Sequence, residues 1–305
     1  MRDTLRELGL VVLERGWLSS NNILFRGRQG ATVVDTGYDS HAEQTVALLR
    51  RELLDQPLVR IVNTHLHSDH CGGNAALQQA WGSEIWVPEV SFDAVRHWDT
   101  RRLTYAATDQ RCARFRADRP LAADQTLRLG NFDWQVISSP GHDPEAMMLF
   151  QPESRVLISA DALWESGLAI IFPELHGRSG FAEAHAVLNL IQMLAPRVVI
   201  PGHGPPFSNV AAAIQASRSR LEAFEREPHR HLAYAARALV TFRLLEIRRC
   251  ECEQLLDWMV GTPIFVAMLD TGHAGESAEA LAQRTVERLV GDGTIRQDGA
   301  TLVLS

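Results

Sequence analysis

Four potential metal ligands fall within six residues of the run Thr64-His65-Leu66-His67-Ser68-Asp69-His70. The apolar stretch Val59-Arg60-Ile61-Val62 precedes them and has strand length. If the chain stays extended past it, His65 and His67 project to the same side and can converge on one ion. Asp69 and His70 come next, as the chain turns through Gly72-Gly73 toward a helix beginning near Asn74. Imidazoles with a carboxylate suit zinc, iron or manganese, whereas thiolates would mark a closed structural zinc site. The chemistry such a centre supports is hydrolysis by a metal-activated water.

Three more candidates lie far along the chain in similar surroundings. His142 follows Pro140-Gly141, Asp161 sits in Ser159-Ala160-Asp161-Ala162, and His203 sits in Pro201-Gly202-His203-Gly204-Pro205. Each comes at or just beyond an apolar, strand-length run, where open α/β architectures place their sites. Neighbouring glycines let the backbone turn sharply and approach a ligand closely. Taken singly, each residue has an ordinary reading: a solvated or core histidine, or an aspartate capping a helix or turn. Taken together, their repeated strand-end context points to one metal site.

The elements that must position these residues are short and recurrent. Strand-length runs occur at Val11–Leu13, Ala31–Val34, Val59–Val62, Glu84–Val87, Trp134–Ile137, Met147–Phe150, Val156–Ile158 and Val198–Ile200. Helical patterns lie between some of them, at Ala42–Leu54, Asn74–Trp81 and Ala182–Leu194. Sheets covered by helices are expected. Pro228 marks a boundary between a catalytic domain, residues 1–227, and a C-terminal module, residues 228–305. In the latter, helices at about His231–Arg249, Glu253–Val260 and Ser277–Val290 precede two short strands joined at Asp298-Gly299, a winged-helix-like arrangement. That module carries eight Arg against ten Asp plus Glu, a poor balance for phosphate binding. No nucleic-acid partner is expected; packing or a homodimer contact is the alternative use.

The whole chain, 305 residues with net charge -7, is expected to have no non-specific affinity for nucleic acid or anionic membranes. Its 30 basic residues are all arginine, which excludes Schiff-base catalysis through lysine. No secretory leader and no membrane-length apolar run is visible. Cys71, Cys112, Cys250 and Cys252 form no disulfide framework, so a cytoplasmic location is the simpler reading.

The set His65-x-His67-x-Asp69-His70-x-Gly72-Gly73, with His142, Asp161 and His203, resembles the metallo-β-lactamase-fold superfamily. Asp35, in Val33-Val34-Asp35-Thr36-Gly37, matches that family's early structural aspartate. The resemblance spans about residues 10–210. It implies an α/β fold, an αβ/βα four-layer sandwich, and two divalent metal ions, zinc before iron or manganese. It also implies His65, His67 and His142 on one ion, Asp69, His70 and His203 on the other, and Asp161 bridging both. The Asp69-His70-Cys71-Gly72-Gly73 form resembles the glyoxalase-II-like branch. One departure is Asp143, where many relatives carry Ser or Thr, and a second histidine shortly after His142 is absent.

The function expected is that of a dinuclear hydrolase using a metal-bridging hydroxide on a small-molecule thioester, ester or lactone. Asp69 is the residue expected to orient that hydroxide and take its proton. Two alternatives stand beside this: an iron-dependent persulfide dioxygenase-like enzyme, and a metal-retaining regulatory or binding protein with little turnover. For the substrate pocket, Trp164, Phe172, His176 and Tyr105 are candidates, though core packing explains such residues equally well. Residues 91–119, with seven arginines among aromatics, read either as a lid or as a solvated helix with its apolar face on the core. Cys71 reads as a small packed residue beside a ligand.

Overall fold

Strands covered on both faces are apolar throughout rather than alternating. Met147–Gln151 and Val156–Ala160 follow that rule apart from Gln151 and Ser159, and both are buried along their whole length. In the computed structural model, which describes residues 2–272 and 277–305, they sit inside the second of two facing sheets.

The first sheet follows chain order: β1 (Leu10–Leu13), β2 (Asn22–Phe25), β3 (Ala31–Val34), β4 (Leu58–Val62), β5 (Glu84–Pro88) and β6 (Arg119–Leu121). Its first three strands are antiparallel and β3 to β6 are parallel. The second sheet contains β7 (Thr126–Leu129), β8 (Phe132–Ser138), β9 (Met147–Gln151), β10 (Val156–Ala160) and β11 (Val198–Pro201), in spatial order β11-β10-β9-β8-β7. Only β10 and β11 are parallel there, joined through a crossover helix.

Three apolar clusters fill the gaps between four layers. Between the sheets, Phe25, Val34 and Val62 meet Trp134, Leu149 and Ile158. Outside the first sheet, Leu49, Leu77 and Val95 of the helices Ala42–Leu53, Asn74–Trp81 and Glu89–His97 cluster with Ile61 and Ile85. Outside the second, Leu188, Ile191 and Leu221 of Phe181–Leu194 and Val210–Arg226 cluster with Leu157 and Val199. The expected αβ/βα sandwich is the fold observed.

Residues 91–119 do not form a lid. Ala94, Val95, Leu103, Tyr105 and Phe115 are buried in the first outer cluster, and the arginines of that stretch stay at the surface. The apolar residues there recur at helical and turn spacings that face inward, and burying them outweighs any use as a cover.

Arg226 ends one helix and Pro228 opens the next, where its missing N–H costs nothing. The helix Pro228–Ile247 starts three residues before the expected His231. A strand β12 (Arg249–Glu251) and a helix Pro263–Gly272 add to what the sequence suggests. Helices Cys252–Gly261 and Ala278–Gly291 then lead to β13 (Ile295–Asp298) and β14 (Thr301–Leu304). The three strands form a small antiparallel sheet, β12-β14-β13, the wing of the expected module. Among the described residues no helix is long and apolar enough to cross a membrane.

Candidate metal centre

Every expected ligand lies at or just past the end of a central strand, so folding two sheets together gathers them at one rim. Past β4 come His65 and His67, then the short helix Ser68–Cys71 carrying Asp69 and His70. Past β8 comes His142, past β10 Asp161, and past β11 His203. They assemble into two sets of atoms, each within 4.8 Å: His65, His67 and His142 in one, Asp69, His70, Asp161 and His203 in the other.

The two sets touch through Asp161. Its Oδ2 lies 3.5 Å from His142 Nε2, 3.4 Å from His70 Nε2 and 3.9 Å from His203 Nε2. Within the first set, His142 Nε2 and His67 Nδ1 are 2.9 Å apart. Within the second, His203 Nε2 and Asp69 Oδ2 are 3.0 Å apart.

Surrounding acceptors fix which ring nitrogen faces inward, because a carbonyl or carboxylate accepts only from a protonated nitrogen. His142 Nδ1 donates to Ile170 O at 2.6 Å, leaving the Nε2 lone pair for the centre. His70 Nδ1 donates to Asp35 Oδ2 at 2.8 Å, with the same result. Asp35 is itself held by Thr64, whose N–H donates to Oδ1 (2.9 Å) and whose hydroxyl donates to Oδ2 (2.7 Å). Asp143, the departure from the family pattern, places Oδ2 3.3 Å from His67 Nε2, on the side away from the ligand set.

The donor set fits divalent metal ions. His65 Nε2 is buried without a hydrogen-bond partner, a costly arrangement for a polar atom that has nothing to bind. Burial, reinforced by neighbouring histidines, holds His65 well below the usual imidazole range. Burial takes His67 and His142 down to about 4, so these rings present neutral nitrogens. Burial also disfavours charge on His70, but Asp161, Asp69 and Asp35 outweigh it and raise its pKa. Asp69 and Asp161 are desolvated too, yet the histidines around them keep both below the ordinary carboxylate range. Three neutral imidazoles beside two ionised carboxylates suit a divalent cation, which would take the place of the proton that the carboxylates hold on His70.

The backbone is adapted to this crowding. Ala160 adopts φ +46°, a left-handed conformation that costs a non-glycine residue about 1–2 kcal/mol, and so aims Asp161 inward. A Cβ on Gly202 would come within 2.1 Å of Asp161 Oδ1 and 2.9 Å of His70 Cε1, so only glycine fits. The β1–β2 loop ties the two sheets' ligand loops together. Ser20 N–H donates to Asp69 O and Asn21 N–H to Gly202 O, while the Asn21 amide donates to Pro201 O and Gly204 O. Sequence reasoning missed Asn21. The run Ser19-Ser20-Asn21-Asn22 reads as an ordinary polar turn, and only the fold shows that all four residues are buried.

Beside His203 opens a cleft of about 300 Å³ lined by Arg15, Trp17, Trp164 and Glu165. The Trp17 ring stacks on His203 at 5.4 Å and meets Trp164 edge-on at 5.3 Å. Trp164 Nε1 donates to Asp161 Oδ1 at 3.1 Å. Phe172 lies on the other side of the centre, 4.6 Å from His67. Two other candidates do not reach the ligands. Tyr105 is buried in the core, its hydroxyl 3.0 Å from Cys71 Sγ, because its ring packs with Trp98. His176 is exposed one residue past Leu175, which anchors among the C-terminal helices. Cys71 is a packed thiol, as expected.

A family model described as the metallo-beta-lactamase superfamily matches residues 15–203. The hydroxyacylglutathione hydrolase GloC of Haemophilus influenzae is 25% identical over 195 residues, covering 60% of this chain and 84% of that protein. A hydroxyacylglutathione hydrolase of Rhodospirillum rubrum is 26% identical over 195 residues, covering 64% of this chain and 67% of that one. These relatives come from the glyoxalase-II-like branch that Asp69 to Gly73 suggested. The crystal structure of a metallo-beta-lactamase family protein from Thermus thermophilus aligns with TM-score 0.56 at 19% identity, over 97% of this chain and 99% of that one. That likeness shows the fold, and it includes the C-terminal module.

Proposed function

Because the chain belongs to the metallo-β-lactamase superfamily, we propose that it is a dinuclear hydrolase cleaving a thioester, ester or lactone. The observation that carries this reading is the position of Asp161 Oδ2, between His142 of one ligand set and His70 of the other. His65, His67 and His142 would hold one ion, Asp69, His70 and His203 a second, and Asp161 both; zinc is the first choice, before iron or manganese. Divalent ions held there supply Lewis acidity and a water activated at neutral pH.

Asp69 is the least buried of the seven ligands, so its carboxylate reaches the open side of the centre. Its contacts to His70 and His203 both use Oδ2, which leaves Oδ1 to orient the attacking water and then accept its proton.

Trp17, Trp164 and Phe172 offer apolar walls to the acyl portion of a small-molecule substrate. Arg15 lines the same cleft, but its guanidinium is committed to Asn22, Thr45 and Gln44. Arg15 is the one arginine among the residues lining that cleft and Glu165 lines it too, so an anionic tripeptide such as glutathione finds little to grip. The reading therefore keeps the acyl hydrolysis named for the relatives and favours an apolar substrate over theirs.

Metal analysis followed by a panel of apolar thioesters, lactones, phosphodiesters and persulfides tests this. Two metals per chain with turnover of a thioester or lactone is the expected result. Stoichiometric metal with no turnover across the panel would favour a binding protein, and a single iron with persulfide oxidation would favour the dioxygenase.

A further inference from the structure

One peptide unit links the C-terminal helix Pro228–Ile247 to the metal centre. Residues 168–171 belong to no helix or strand, so few backbone bonds of their own fix them. The carbonyl of Ile170 accepts from His142 Nδ1 at 2.6 Å. The N–H of Ile171, the other end of that same peptide, donates to His231 Nε2 at 3.1 Å. A trans peptide is planar, with its C=O and N–H pointing in opposite directions. Holding the N–H therefore sets the direction of the C=O, and with it the tilt of the His142 ring.

His231 is well placed to hold that peptide. It is 1% exposed and packed between Phe181 and Phe224, with ring centroids at 5.2 and 5.0 Å. Accepting from a backbone N–H requires its proton on Nδ1. One turn along the helix, the Tyr234 hydroxyl donates to Leu168 O and secures the start of the same segment. On the far side, Phe172 N–H donates to His142 O at 3.2 Å. The segment is thus clamped between the module and the ligand.

We propose that His231 and Tyr234 are positioning residues for the metal ligand His142, acting through the Ile170–Ile171 peptide. The module's role is then to complete the His65, His67 and His142 ligand set. This rests on the metal-centre reading above but does not depend on which substrate is cleaved.

The test compares the full-length wild type with His231→Phe, which keeps an aromatic ring between Phe181 and Phe224, and with Tyr234→Phe. Each is loaded with Zn²⁺ and titrated with a chelator, and the Co²⁺-substituted forms are examined by visible absorption. Loss of an outer partner of a ligand typically weakens metal binding about 10–100-fold. We expect one of the two ions to be released at about tenfold lower chelator in His231→Phe, the second ion unchanged, and an altered Co²⁺ band. Tyr234→Phe should shift the same ion by less. A purely structural role would lower thermal stability and leave both metal affinities alone. Folded variants that hold both ions as the wild type does overturn the proposal; should His231→Phe fail to fold, unchanged binding in Tyr234→Phe does so. A wild type that takes up no metal removes the metal-centre reading and the proposal with it.

Discussion

The carboxylate of Asp35 accepts from His70 Nδ1 at 2.8 Å, and neither residue is more than 3% exposed. The same carboxylate takes both donors of Thr64, the residue before His65. One buried aspartate thereby orients a ligand and anchors the start of the ligand run. Asp35 adopts φ +56°, a conformation that Asn shares readily, so Asp35→Asn isolates the loss of charge. Its expected effect is about 10–100-fold weaker binding of the ion at Asp69, His70 and His203, read by chelator competition. An unchanged release profile would refute the role given to Asp35.

Asp69→Asn should leave the circular dichroism spectrum intact while turnover of an active thioester or lactone falls by at least ~100-fold, the range for loss of general base catalysis. Metal content is measured alongside, because Asp69 is also a ligand. Full activity in this variant would remove Asp69 from the reaction.

Trp17 is 59% exposed, and its contacts are to His203 and Trp164, so truncation should spare the core. An aromatic contact contributes about 0.5–1.5 kcal/mol beyond area burial. Trp17→Ala should therefore raise KM for an apolar acyl substrate by up to about tenfold with kcat little changed. A substrate series whose KM values are insensitive to the substitution would place the acyl portion elsewhere.

The pH dependence of the metal-free chain follows from His67, His142 and His231, each held by burial at about 4 against an ordinary value of 6.5. The unfolded chain then binds more protons than the folded one between those values. Their contribution is present above about pH 6.5 and is lost as the pH falls toward 4. His70 is shifted upward and acts in the opposite sense. Urea unfolding of the chelated protein across this window should show falling stability with acidification; a flat or rising profile would contradict the balance described.

The ligands were legible in the sequence because glycine and strand-end context mark them locally: His65 to His70 need only an extended backbone and a turn. The four-layer fold was legible from its apolar runs, although β2, β6 and β7 were not. Asn22-Ile23-Leu24-Phe25 carries one β-branched residue, and its burial comes from neighbouring strands. Residues acting at long range left no such mark. Asn21 bonds to Pro201, 180 residues away, and His231 to Ile171, 60 residues away. Tyr105 and Trp164 are both aromatic and near the motifs; only the folded chain tells which one faces the core and which the cleft.

The most direct test of a dinuclear centre is the number of metal ions per chain, measured by elemental analysis after loading with Zn²⁺ and removal of excess. Two per chain is the expected result, one for each ligand set joined at Asp161. A chain that retains none, or that saturates at one, would contradict it.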